Sequence, residues 1–244
     1  MEIENIFKDI NFKIDPNTDY RKSYNYRLIK GLLKFINKHR EFDFSNLILN
    51  KTNEDLELKK ALLKIESMST YAIGYVINRI CKNLSRDQLF LNIGVWKGFS
   101  LISGMINTQC EVIGIDNFSQ FDGPKEIFIK NFNKYKREQH KFYEEDYLNF
   151  FKSFEKKSKF IDFYFYDGEH SYDNQYKNLE IADQFLKKNS IILIDDANFA
   201  DVYNGTMDFI NKSNSNYKIL KQIKTANNHC HPSYWNGIII LKKI

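Results

Sequence analysis

Residues 163–172 read Phe163-Tyr164-Phe165-Tyr166-Asp167-Gly168-Glu169-His170-Ser171-Tyr172. An apolar run ends in a carboxylate, and a histidine follows that acid by three residues. A strand that closes on Asp, Gly and His is hard to explain as scaffold alone, and the stretch reads as an active site. About twenty residues on, Ile191-Ile192-Leu193-Ile194 runs into Asp195-Asp196, Ala197 and Asn198. Between the two runs, the spacing of Leu179, Ile181, Ala182, Phe185 and Leu186 predicts a helix over about 172–188. Strand, helix, strand in that order is a right-handed crossover of parallel neighbours. Both acidic ends then fall on one edge of the sheet, and open α/β sheets bind ligands at that carboxyl edge.

Three carboxylates at one edge repel one another. They are splayed into water, share a proton, or hold a cation between them. Oxygen ligands suit a hard ion such as magnesium, which keeps waters and leaves room for substrate oxygens. The plain alternative is that Asp195 and Asp196 cap the following helix and Asp167 merely ends a strand. The set taken together with His170 favours the metal, because perturbed groups cluster at functional sites.

Outward from this centre, residues 88–244 alternate strand and helix, the pattern of a parallel sheet covered on both faces. Strands are expected near 89–94, 111–116, 141–145, 160–167, 190–195, 217–223 and 236–243, the last two as a closing hairpin. The fold class is therefore α/β: a Rossmann-like, doubly wound, mostly parallel seven-stranded sheet with an antiparallel last strand. An N-terminal helical region precedes it. There Leu28, Leu32, Leu33, Phe35 and Ile36 recur at helical spacing, as do Leu56, Leu58, Leu62, Leu63 and Ile65, with Thr52 or Asn53 as a cap. A third helix over about 70–84 carries Ile73, Val76, Ile77 and Ile80. The division expected is a helical cap or assembly region over 1–85, which leaves room for a homo-oligomer, and a sheet domain over 86–244.

The first strand leads into Asn92-Ile93-Gly94-Val95-Trp96-Lys97-Gly98-Phe99-Ser100. Glycines four apart at a strand-to-helix turn let the backbone approach a ligand, and a helix starting at Lys97 or Gly98 offers free N–H groups. The second strand ends in Asp116, an acid about twenty residues past the loop and placed to accept ribose hydroxyl hydrogen bonds. Asp146, after the third strand, is placed to reach an adenine amino group, with Glu144 and Glu145 as competitors. The loop lacks the third glycine of a dinucleotide site, which favours a ligand without a pyrophosphate.

Four stretches, Asn92–Ser100, Ile115-Asp116-Asn117-Phe118-Ser119, Asp167–Tyr172 and Asp195-Asp196, together resemble class I S-adenosylmethionine-dependent methyltransferases. Within them the likeness is to the metal-dependent macrocin O-methyltransferase-like group, over about 65–244. The resemblance implies that Asn92, Gly94, Gly98, Ser100, Asp116, Asn117, Asp146 and Asp167 form the S-adenosylmethionine site. It also implies that Asp167, Asp195 and Asp196 hold Mg2+ or another divalent cation, and that His170 is the general base. The reaction implied is O-methylation of a small-molecule or sugar hydroxyl. One departure is Asn92, where the family usually has Glu; an amide loses the attraction to a cationic ligand.

Composition bounds the rest. The 244 residues, 43% hydrophobic, can bury a sizeable core as one domain with an appendage. The formal charge of +5 is spread along the chain rather than gathered in one arm, with Lys156, Lys157 and Lys159 as the densest small cluster. This does not point to nucleic acid. Cys81, Cys110 and Cys230 are odd in number and unrelated in context, which fits a reducing compartment. The start lacks a basic region followed by an apolar core, and no run approaches membrane-spanning length. A cytoplasmic protein with no membrane partner is expected. His229-Cys230-His231 has poor chelate spacing and reads as a loop over the site, with Tyr234 and Trp235 either stacking on substrate or filling the core. Rival readings are a nucleic acid methyltransferase, a nicotinamide-dependent oxidoreductase and a non-catalytic S-adenosylmethionine-binding or assembly protein; Asn92 favours the last.

Overall fold

Apolar residues at helical spacing dominate the first third of the chain, and the computed structural model accordingly opens with helices. It describes residues 3–22, 24–35, 39–49, 52–154, 159–227 and 230–244; Ile36, Lys156, Lys157 and His229 lie outside that set. Helices α1 (Ile3–Lys8), α2 (Tyr24–Phe35), α3 (His39–Phe44), α4 (Asn53–Leu63) and α5 (Tyr71–Lys82) come first. A two-residue antiparallel pair, β1 (Asn11–Phe12) with β2 (Leu47–Ile48), lies among them. Thr52 starts α4 through a capping box: its hydroxyl accepts from Asp55 N and its own N–H donates to the Asp55 carboxylate. Thr70 caps α5 and also donates to the Ser233 carbonyl, tying this region to the far end of the chain.

Strands and helices then alternate: β3 (Leu89–Ile93), α6 (Phe99–Met105), β4 (Glu111–Ile115), α7 (Lys125–Tyr135), β5 (His140–Tyr143), α8 (Tyr147–Phe154) and β6 (Ile161–Tyr166). They are followed by α9 (Tyr172–Asp183), β7 (Leu186–Ile194), α10 (Ala200–Lys212), β8 (Tyr217–Ile223) and β9 (Ile238–Lys243). The seven strands are ordered β5-β4-β3-β6-β7-β9-β8. β9 runs antiparallel to both β7 and β8, and the pairings among β3 to β7 are parallel. The expected closing hairpin is present, with its second strand inside the sheet rather than at the edge.

Alternation along each strand sorts the core into two layers. Leu89, Leu91, Ile113, Tyr164 and Ile192 face α8, α9 and α10 through Phe150, Phe154, Leu179 and Phe209. Phe90, Val112, Phe163 and Ile191 face the other way, onto Val76, Ile77 and Ile80 of α5, Leu101 of α6 and Phe128 of α7. Each fully buried side chain of this size contributes about 1.5–3 kcal/mol. Residues of α4 and α5 thus share one core with the sheet.

The helix expected over 172–188 ends at Asp183, and β7 begins at Leu186 rather than near 190. Sheet pairing outcompetes the helical pattern there. Ile161 N donates to Phe185 O, Ile161 registers with Leu186, and Lys187 forms a 2.6 Å ion pair with the buried Asp162.

Candidate active site

The parallel ladder continues one residue beyond the strands. Gly94 N donates to Ile115 O and Asp167 N to Ile93 O, both at 2.9 Å, which sets Gly94 against Asp167. A Cβ on Gly94 would lie 2.0 Å from the Asp167 carbonyl oxygen, and its φ is +77°, so no other residue fits. The loop then enters α6 through Gly98, the N-cap, at φ +99°. Above this junction opens a cavity of about 610 Å3.

Asp116 shapes the cavity floor. Its Oδ2 accepts from Val95 N (2.8 Å) and Trp96 N (2.9 Å), and its Oδ1 from Phe118 N (2.7 Å). A carboxylate offers about four lone-pair sites, so about one remains for a ligand. Gly94, Asn117, Asp146 and Asp167 also line the cavity. Asp146 holds the start of α8 by accepting from Leu148 N. Of its competitors, Glu145 lines the cavity, whereas Glu144 pairs with Lys125 at 2.7 Å.

Asn92, Gly98 and Ser100 do not line the cavity. Asn92 is fully buried; its Oδ1 accepts from Ser100 Oγ at 2.8 Å and its Nδ2 donates to the Ile93 and Gly94 carbonyls at 3.2 Å. Asn92 and Ser100 thus support the glycine loop from outside the cavity, and Gly98 closes it, its N–H donating to Val95 O at 2.7 Å.

The acids gather opposite. One oxygen each from Asp167 and Asp196 and a ring nitrogen of His170 lie within 4.8 Å of one another, a spacing that can hold a metal ion. His170 Nε2 is 2.9 Å from Asp196 Oδ2 and 3.7 Å from Asp167 Oδ1. It is shielded from solvent yet makes no well-directed hydrogen bond. A buried polar atom without an aligned partner marks a place open to a ligand, and the two carboxylates beside it suit a hard cation. Asp195 lines the same cavity but is not in this trio, and its Oδ1 accepts from Asp196 N at 2.9 Å. Asp196 adopts φ +54° and is held there by Asn236, whose Nδ2 donates to its Oδ1 at 2.6 Å. The cap of α10 is Phe199, not either acid.

Burial raises the Asp195 carboxyl well above the usual range, and the charges of Asp196 and Asp167 add to it. Asp167 is raised by burial against the opposing pull of His170, with Asp196 raising it further. For His170, burial works downward, but the flanking Asp167 and Asp196 carboxylates outweigh it and push the imidazole up to about 10.

Several lining residues carry no local sequence signal. Met68, Phe121, Tyr147, Phe199 and Asn236 reach the cavity from separate parts of the chain. Backbone strain marks the same place. Of nine described non-glycine residues with positive φ, six line the cavity: Trp96, Phe118, Phe121, Asp196, Cys230 and Trp235. Such strain persists where surrounding structure over-determines it, commonly at functional sites. In the His229–His231 stretch, Cys230 lines the cavity and His231 is buried away from it, with Nε2 3.1 Å from Thr18 O and Nδ1 2.7 Å from Ser233 Oγ. Tyr234 fills the core against Phe12, while Trp235 faces the cavity.

A family model described as "Methyltransferase domain" matches residues 91–197. No curated protein sequence matches the chain. Among solved structures, it is similar to the O-methyltransferase from Bacillus cereus in complex with SAH, with TM-score 0.57 and 12% identity over 89% of this chain and 97% of that one. It is also similar to TomG of Streptomyces achromogenes, an O-methyltransferase involved in tomaymycin synthesis and solved with SAM. That match has TM-score 0.54 and 12% identity over 82% of this chain and 93% of the other. The α/β fold, with its seven-stranded sheet, antiparallel last strand and N-terminal helices, is the fold of these methyltransferases.

Proposed function

We propose that this protein transfers a methyl group from S-adenosylmethionine to a hydroxyl oxygen of a small molecule or sugar, assisted by a divalent cation such as magnesium. The observation that carries the reading is the acidity of the cavity: seven acidic side chains, from Asp116 to Asp196, against one imidazole, His170, and no Lys or Arg among the described lining residues. Such a lining attracts a cationic sulfonium and a metal ion. It repels the pyrophosphate of a nicotinamide dinucleotide and the phosphates of nucleic acid. The Asp167–Tyr172 stretch supports the finer reading of a macrocin O-methyltransferase-like enzyme.

In this reading Gly94 admits the cofactor close to the β3 loop, Asp116 turns its remaining lone pair to a ribose hydroxyl, and Asp146 reaches the adenine. Asp167 and Asp196, with Asp195 beside them, hold the cation. When bound, that ion would lower the acceptor hydroxyl's pKa and stabilise the alkoxide. With the carboxylates so engaged, His170 loses the two influences that raise it and keeps only burial, which lowers it; the neutral imidazole can then accept the acceptor's proton. Orientation of the two reactants by the cavity walls is the larger contribution, about 7–11 kcal/mol.

The second reading is a non-catalytic S-adenosylmethionine-binding protein; Asn92, buried outside the cavity and bonded to Ser100 and two carbonyls, does not separate it from the first. Calorimetric titration with S-adenosylhomocysteine, NAD and magnesium tests the first reading. S-adenosylhomocysteine should bind, raising stability by about 2.7 kcal/mol at a hundredfold excess over its dissociation constant, and NAD should not. Magnesium should bind to the wild type and fail to bind to Asp167→Asn. Binding of S-adenosylhomocysteine with no magnesium site would favour the second reading, and equal binding of NAD would overturn both.

A further inference from the structure

We propose that α2 is an interfacial anchor that docks this protein on an anionic lipid surface, with the mouth of the candidate active site beside it. A helix on a soluble domain turns its apolar stripe inward. α2 does the opposite. Leu28, Ile29, Leu32 and Phe35 fall within an arc of about 120° on the helical wheel, and all four are exposed, Leu32 to 69% and Phe35 to 91%. Lys34, exposed as well, lies opposite them.

Charge decides what covers this face. From Arg21 to Arg40 the sequence holds seven basic residues and no Asp or Glu, more positive charge than the +5 of the whole chain. The charge is thus less evenly spread than the small lysine clusters suggest. Arg40 is engaged internally, donating to Leu62 O, Leu63 O and Ser67 Oγ, and Lys22 pairs with Asp19. Lys34 stands exposed on the described part of the stretch. A second copy in a two-fold contact would set this stretch against itself, bringing like charges together with no acid inside the stretch to pair them. An anionic bilayer complements both halves: the Leu and Phe side chains enter the headgroup boundary and Lys34 meets phosphates.

The described segments on either side of the anchor reach the cavity rim. Before it, the Tyr20 hydroxyl donates to the Cys230 carbonyl at 3.1 Å, and Cys230 lines the cavity. After it, Arg40 holds Ser67, next to the lining residue Met68. Among the described residues no helix is long and apolar enough to cross a membrane. The expectation of no membrane partner rested on that length, which a helix lying in the interface does not need. The inference stands apart from the methyl-transfer reading.

The test is co-sedimentation of the full chain with vesicles of phosphatidylcholine alone and of equal parts phosphatidylcholine and phosphatidylglycerol. Binding is expected to the mixed vesicles only, and it should weaken as salt shortens the screening length from about 10 Å at 0.1 M to about 3 Å at 1 M. Leu32→Glu with Phe35→Glu should reduce binding by more than about tenfold, with an unchanged circular dichroism spectrum. Lys34→Ala, the milder variant, should reduce it about fivefold. No binding to mixed vesicles, or equal binding by both variants, overturns the proposal. So does a wild-type dimer in light scattering that the double variant abolishes while vesicles are ignored, which would assign the face to a second copy. Binding to an acidic amphipathic peptide but not to vesicles would assign it to a protein partner and likewise overturn the proposal.

Discussion

His170 occupies a position that a cap would not need. Ser171 is the N-cap of α9, accepting from Asn174 N, and His170 is turned toward Asp196 and Asp167 instead. Replacing it by Ala should therefore lower kcat by about 10² to 10⁴, while affinity for S-adenosylhomocysteine and the melting temperature stay near wild type. A collapse of stability with unchanged kcat per folded molecule would return it to a structural part. Asn236 acts one step removed, because its amide is spent on Asp196 Oδ1 and leaves Oδ2 free to face His170. Asn236→Ala should weaken binding of a divalent cation by about 10–100-fold, read by Mn2+ titration. S-adenosylhomocysteine affinity should change far less, since the Asn236 amide is bonded to Asp196, on the acidic side of the cavity.

At the scale of one element, β5 forms an edge of the sheet, and its first residue, His140, is buried. Its Nδ1 accepts from Arg137 N at 3.0 Å, which requires a deprotonated Nδ1. Burial first, and the nearby Arg137 charge second, push His140 down to about 4 from its ordinary 6.5. The unfolded chain then binds a proton that the native chain refuses between those two values. Stability from this group is complete above about pH 6.5 and is lost as pH falls toward 4, by about 3 kcal/mol for a shift of this size. Denaturant midpoints measured from pH 7 to pH 4 should fall, and fall less in His140→Asn, which keeps an acceptor for Arg137 N. Parallel curves would show that other groups carry the acid sensitivity.

Across the whole molecule, one core cluster runs from Leu58 and Leu62 of α4 through α5 to Phe90, Phe163 and Ile240 of the sheet. The Thr70–Ser233 and Tyr20–Cys230 hydrogen bonds close the N-terminal region onto the loop before β9. Helices and sheet should therefore lose structure together. Thermal unfolding followed by far-ultraviolet dichroism and by aromatic near-ultraviolet signals should give coincident transitions. An early loss of helical signal with the sheet intact would mean that the region before residue 70 melts as a separate unit.

The strands and the acidic edge were legible in the chain itself. Apolar runs bounded by Gly and Asp specify buried strands, and the helix between each pair dictates parallel order, so Asp116, Asp167 and Asp195–Asp196 had to reach one edge. Local pattern could not say how far α9 runs, because the ion pair between Lys187 and Asp162 joins residues 25 apart and acts only once β6 and β7 lie side by side. Nor could it show that Asn92, Gly98 and Ser100 stay outside the cavity, or that His170 points between Asp167 and Asp196. Those facts depend on side-chain direction after packing. Asn236 and Met68 come to the cavity from loops whose only common cause is closure of the chain around the sheet edge. Tertiary structure alone decides such residues, because contacts between distant segments are set by burial and hydrogen bonding across the fold and leave no periodic trace in either segment.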